Sequence, residues 1–132
     1  MKGFKSNIEK DTLKNKNFRK VLYTAKHMQL VLMSLKVGED IGAEVHHDND
    51  QFFRFEGGTG KVVIDGNKYN VKNGDVIIVP AGAKHNVINT NSKAELKMYT
   101  IYAPPHHKDG IVRATKAAAV KSAPEFNGKT TE

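Results

Sequence analysis

The sequence predicts an all-β fold, a sandwich or small barrel, and three observations carry the prediction. Short runs rich in β-branched and aromatic residues recur along the chain, for instance Val76, Ile77, Ile78 and Val79. Turn signals such as Asp65-Gly66-Asn67 and Asn73-Gly74-Asp75 separate them at intervals of roughly eight to twelve residues. The 132 residues, 39% of them hydrophobic, fit one core but not comfortably two.

Residues 1–17 are polar with weak periodicity, and read as an arm with a short edge segment tacked down by Phe4 and Ile8. Residues 18–24 and 28–36 read as strands. In the second, Leu30, Leu32 and Ser34 alternate with Val31, Met33, Leu35 and Val37, and both sets are mainly apolar. Such a strand is covered on both faces, the outer one by another strand layer or by a partner subunit. With an arm able to extend a sheet, that predicts a C2 homodimer. After the turn at 37–40, a short extended piece runs through Glu44, Val45 and His46, and 51–56 is the next strand. Gly57 and Gly58 interrupt it, a hairpin occupies 61–71, and strand 76–79 ends at Pro80-Ala81-Gly82. That corner re-aims the chain into a strand carrying His85. Residues 96–103 form the last strand, stopped by Pro104 and Pro105, neither of which can donate to a ladder. The organisation is therefore an arm (1–17), a barrel (18–105) and an extension (106–132) holding a helix-permissive stretch at 115–123 before it frays.

Composition removes several chemistries. Without cysteine there is no disulfide, thiolate metal site, Fe–S cluster or cysteine nucleophile. No apolar run approaches the ~18 residues of a membrane span, and no signal segment is evident, so a soluble cytoplasmic protein is expected. The net charge of +7 invites nucleic acid, but its distribution argues against it. Residues 1–27 hold eight basic and two acidic side chains, whereas 28–105 hold eight and nine. A groove tracking a phosphate backbone would itself be basic.

Four polar residues sit in strand settings: Glu44, His46, Gln51 and His85. Glu44 and His46 are two apart and so point the same way on a strand. Gln51 begins the neighbouring strand, and the rigid corner delivers His85. Two imidazoles, a carboxylate and an amide oxygen form an N/O donor set suited to Fe, Mn, Ni or Zn as divalent ions. His47 has the opposite parity and is expected outside; His27 has no partner by spacing. His106 and His107, just after the prolines, either face solvent, the expected arrangement, or line the barrel mouth. One alternate set, Met33, Phe53, Phe55, Met98 and Tyr102, is expected to wall a pocket for a small organic molecule.

At these residues the chain resembles a small single-domain cupin over roughly residues 30–103. Gly74, Pro80, Gly82, His85 and Asn89 meet every position of that family's second motif. Gly38, Glu44, His46, Gln51 and Gly58 keep the spacing of the first, with Glu where a His is customary and Gln where the Glu is customary. The resemblance implies a jelly-roll-like double-stranded β-helix and a divalent metal held by Glu44, His46, Gln51 and His85. It also implies dioxygenase, isomerase or lyase chemistry on a small substrate, with Glu44 and Gln51 in catalytic roles and Glu44 as a base if it stands off the metal. Two alternatives stand beside it: a cupin that binds or senses a ligand without turnover, and a sugar-phosphate or sugar-acid isomerase.

Overall fold

The computed structural model describes residues 1–132. Helix α1 (Ile8–Lys14) precedes strands β1 (Arg19–Thr24), β2 (Gln29–Leu35), β3 (Glu44–Val45), β4 (Asp50–Gly57), β5 (Thr59–Ile64) and β6 (Asn67–Lys72). Strands β7 (Val76–Val79), β8 (Lys84–Asn89), β9 (Leu96–Ala103) and β10 (Val112–Arg113) and helix α2 (Lys116–Lys121) complete the chain. The strands form two antiparallel sheets, six-stranded in the order β10-β1-β2-β9-β4-β7 and four-stranded in the order β3-β8-β5-β6. The fold is thus all-β, with a core of 18 buried apolar residues. Neither sheet closes on itself, so the barrel of the sequence reading takes the form of a two-sheet sandwich with free edges.

The register of the larger sheet decides which side chains reach the site. Gln29, Tyr102, Gln51 and Val79 lie side by side across β2, β9, β4 and β7. The next inward row is Val31, Thr100, Phe53 and Ile77, and the one beyond it holds Met33, Met98 and Phe55. Side chains on one face of a strand recur every second residue, so successive rows sit nearly 7 Å apart. Only the first row borders the site. Met33, Phe53, Phe55 and Met98 have the parity expected of pocket walls, but they are completely buried one and two rows deeper and serve as core. Of the five expected walls, Tyr102 alone stands at the site.

Two segments depart from the sequence reading. The arm contains α1 where an edge strand is expected, because Asn7 caps it: the Asn7 side-chain oxygen accepts from the Lys10 amide at 3.0 Å. The helix packs on β9 and β4, and the Lys97 ammonium ties its end down by donating to the Asn15 carbonyl and, at 3.2 Å, to Ser34 Oγ. Leu32 and Ser34 are consequently buried within the one chain. The face expected to meet another strand layer or a partner subunit is thus already covered at these two positions within the single chain.

The extension, expected to fray beyond a short helix, is hydrogen-bonded back along β1 through Phe18 N to Ala114 O, Val21 N to Ile111 O and Thr131 N to Thr24 O. Gln29 fastens its start. This fully buried amide donates to Thr24 Oγ1 (2.9 Å) and the His107 carbonyl (2.7 Å), while its oxygen accepts from the amides of His106 (3.2 Å) and His107 (2.9 Å). Every hydrogen-bonding position of the side chain that the fold buries is used, so residues 106 and 107 are set over the end of the sandwich.

Candidate metal centre

The corner at 80–82 is built to place one imidazole. Gly82 has φ = 89°, a conformation that a side chain disfavours, and its amide donates to the His46 carbonyl at 2.9 Å. The Ala81 amide donates to Asp50 Oδ1 at 2.9 Å and the Ala83 amide to the Pro80 carbonyl at 3.1 Å. The turn is therefore pinned both to itself and to the segment carrying His46. His85 follows on β8, directly opposite Glu44 on β3. Its Nδ1 lies 3.1 Å from the Ala83 carbonyl, which accepts the ring proton and leaves the Nε2 lone pair free. Asn89 ends the same strand as a buried clamp, donating to the carbonyls of Leu35, Lys36 and Ala94.

Glu44, His46 and His85 bring one ligand atom each to within 4.8 Å of one another. Atoms bound to one ion at about 2.0–2.2 Å stand about 3–4 Å apart, so the set lies close to the spacing that a single ion requires. His46 Nε2 donates to Glu44 Oε2 at 3.0 Å, and its side chain is 9% exposed against 33% for Glu44. Burial pushes the Glu44 carboxyl upward; the His46 hydrogen bond and the positive charges of His46, Arg19 and His85 outweigh it, leaving the pKa below the ordinary value. Burial, joined by the charge of His46, holds His85 below the ordinary histidine value, which favours the neutral ring that coordinates.

Gln51 lies at the same end, 2% exposed, with Nε2 donating to Thr100 Oγ1 at 3.0 Å and Oε1 buried without any partner. An unsatisfied buried acceptor costs about 1–3 kcal/mol, and a cation beside it would remove that cost. Two imidazole nitrogens, a carboxylate oxygen and this orphaned amide oxygen fit a divalent first-row ion. The customary anionic charge of such a site is retained, because the carboxylate has moved to position 44.

His106 and His107, expected in solvent, turn inward because Gln29 fixes their backbone. The His106 ring meets His46 edge-on at 4.3 Å and stacks on Tyr102 at 5.2 Å, centroid to centroid. His107, 5% exposed, lies with Nε2 3.3 Å from the Tyr102 hydroxyl. Burial, reinforced by the nearby Arg19 charge, drives the His107 pKa down to about 2, and burial also lowers that of His106. His47 stays exposed and away from the set. A cavity of about 280 Å³ opens beside Glu44, between β1 of one sheet and edge strand β3 of the other, and His106 and His107 help to line it. Arg19 also lines it, a residue the sequence reading does not single out. The signal available was parity: Arg19 lies two residues from inward Val21, where a charge is unexpected.

A two-sheet β fold with a His/His/Glu cluster at one end of the sandwich is the arrangement of a metal-binding cupin. The cupin domain family matches residues 31–102, more than half of the chain, and the protein belongs to that family. YrkC of Bacillus subtilis (strain 168) is 50% identical over 125 residues, covering 90% of this chain and 67% of its own. The crystal structure of BH2720 from Bacillus halodurans superposes with a TM-score of 0.88 at 45% identity, covering 90% of this chain and 94% of that one. KdgF from Halomonas sp. shares the fold at 19% identity, with a TM-score of 0.62 over 69% of this chain and 79% of that one. No helix is long and apolar enough to cross a membrane.

Proposed function

We propose that this cupin binds one divalent metal ion through Glu44, His46 and His85, with Gln51 Oε1 as a weak fourth donor, and acts on a small organic molecule. The observation that carries the reading is the convergence of those three ligand atoms within 4.8 Å, at the end of the sandwich where the buried Gln51 amide oxygen has no hydrogen-bond partner. When bound, such an ion supplies Lewis acidity toward a carbonyl or hydroxyl, or a place for oxygen beside the substrate, the chemistry of isomerases, lyases and dioxygenases.

The chain's own residues divide the remaining work. The Ala83 carbonyl holds the Nδ1 proton of His85, so Nε2 faces the site. Glu44 accepts from His46 Nε2, so coordination through that nitrogen would require the ring proton to sit on Nδ1 and the hydrogen bond to Glu44 to be given up. Tyr102 and His106 pack edge-on against the His46 ring and hold it in place. Burial, followed by the Glu44 charge, pushes the Tyr102 hydroxyl upward, so it stays a neutral hydrogen-bonding group.

Elemental analysis of tag-free protein tests the assignment. About one equivalent of a first-row metal is expected, falling at least tenfold in His46→Ala and in His85→Ala. Unchanged metal content in either variant would refute the ligand set. Oxygen uptake over a panel of diketones, phenols and sugar acids after Fe(II) loading tests the dioxygenase branch, and product analysis of the same mixtures tests isomerase and lyase turnover against ligand binding alone.

A further inference from the structure

Arg19 stands in a position that a folded chain rarely tolerates. It is 6% exposed, its Nε is buried without a hydrogen-bond partner, and none of the molecule's four ion pairs includes it. Its guanidinium lies 5.4 Å from the Phe18 ring centroid, a contact worth far less than the solvation that a buried cation gives up. Removing a charge from water costs several kcal/mol unless an anion with matching geometry compensates it. Glu44 shares the cavity with Arg19 but its hydrogen bond goes to His46; Glu125, also on the wall, is exposed and forms no ion pair. His106 and His107 complete the polar lining as neutral rings. The cavity therefore offers a planar cation outside any ion pair and, on the same wall, Glu44, through which it reaches the cluster with His46 and His85.

We infer that Arg19 anchors a carboxylate of the molecule handled at this site, so that the substrate is a small organic acid held between Arg19 and the centre formed by Glu44, His46 and His85. The inference rests on the proposed metal centre for the reacting end and on Arg19 for the other. A guanidinium presents parallel N–H donors that match the two oxygens of a carboxylate, which an ammonium cannot do. The cavity of about 280 Å³ equals the liquid volume of roughly nine waters. That is room for an acid of a few carbons and little more, at the small end of ligand sites. Phe18, Ile41 and Ala119 contribute apolar wall against which its carbon chain packs.

The test uses malonate as the probe and malonamide as its neutral counterpart, titrated calorimetrically into the full-length protein in metal-stripped and Zn-loaded forms. Malonate is expected to bind both forms and to raise the melting temperature. Malonamide should bind the stripped form at least tenfold more weakly. Arg19→Gln should lose malonate affinity at least tenfold in the stripped form, and Arg19→Lys should lose part of it, while both keep their metal content. Because Arg19→Gln removes a buried charge that no hydrogen bond or ion pair holds, its melting temperature without ligand should not fall. Equal binding of malonate and malonamide, retention of malonate affinity in Arg19→Gln, or no binding of malonate at all would overturn the assignment. Loss of metal from the wild-type protein, with the malonate response of the stripped form intact, would instead remove the metal reading and leave the anion site standing.

Discussion

The buried histidines give the site a dependence on acid that can be measured one residue at a time. His107 has its pKa held at about 2 in the folded protein, against about 6.5 in an unfolded chain. Between those values the unfolded state takes up a proton that the native state refuses, so stability falls as pH drops below about 6.5. The slope is about 1.4 kcal/mol per pH unit for one such group. His85 and His106 are shifted in the same direction and add to the loss. His107→Gln is expected to flatten the curve of unfolding free energy between pH 6.5 and 4 by close to one proton's worth, measured by urea denaturation at successive pH values. Parallel curves for variant and wild type would contradict it. At this scale the sequence showed the clustered polar residues well and their neighbours poorly. Glu44, His46, Gln51 and His85 were legible because fixed spacing and strand parity put unexpected polarity in one place. His106 and His107 were misread as solvent-facing because what turns them inward is Gln29, 77 and 78 positions earlier in the chain.

Strand parity tells which face a side chain takes, but not how deep along the strand it sits. Phe55 and Phe53 share a face with Gln51, yet the pairing of β4 with β9 places Gln51 beside Tyr102 at the site and Phe55 beside Met98 two rows in. Phe55→Ala should therefore act on stability, lowering it by about 3–5 kcal/mol as a core truncation does, while the folded fraction keeps its metal stoichiometry. Chemical denaturation with metal analysis of the folded fraction checks this; lost metal without lost stability would return Phe55 to the site. Elements fixed by local chemistry were easier to read. The corner at 80–82 follows from Pro80 and Gly82, and the hairpin between β5 and β6 from Asp65-Gly66-Asn67. Gly58 belongs with them: at φ = 84°, an added Cβ would run into the Glu95 carbonyl oxygen. Helix α1 was missed because seven residues give too short a window for periodicity, and the decisive signal was the Asn7 cap.

The molecule as a whole is a sandwich whose open side, between β1 and β3, is closed over by its own C-terminal extension. That arrangement brings Glu44, the neutral histidines 106 and 107 and Arg19 around one cavity, although they come from opposite ends of the sequence. The all-β class and the family were evident from the motifs at 38–58 and 74–89, since these encode local turns and alternation. The tail's path was not, because its hydrogen bonds to β1 and Gln29 are long-range pairings that no local pattern announces. The most direct test of the whole arrangement is a crystal structure of the protein soaked with Mn(II) or Zn(II), with the ion located by its anomalous signal. One ion bound by Glu44, His46 and His85 at about 2.0–2.2 Å, with the Glu44–His46 hydrogen bond broken and Gln51 Oε1 turned toward it, is the expected result. Metal bound elsewhere, or a Glu44–His46 hydrogen bond intact at full metal occupancy, would contradict it.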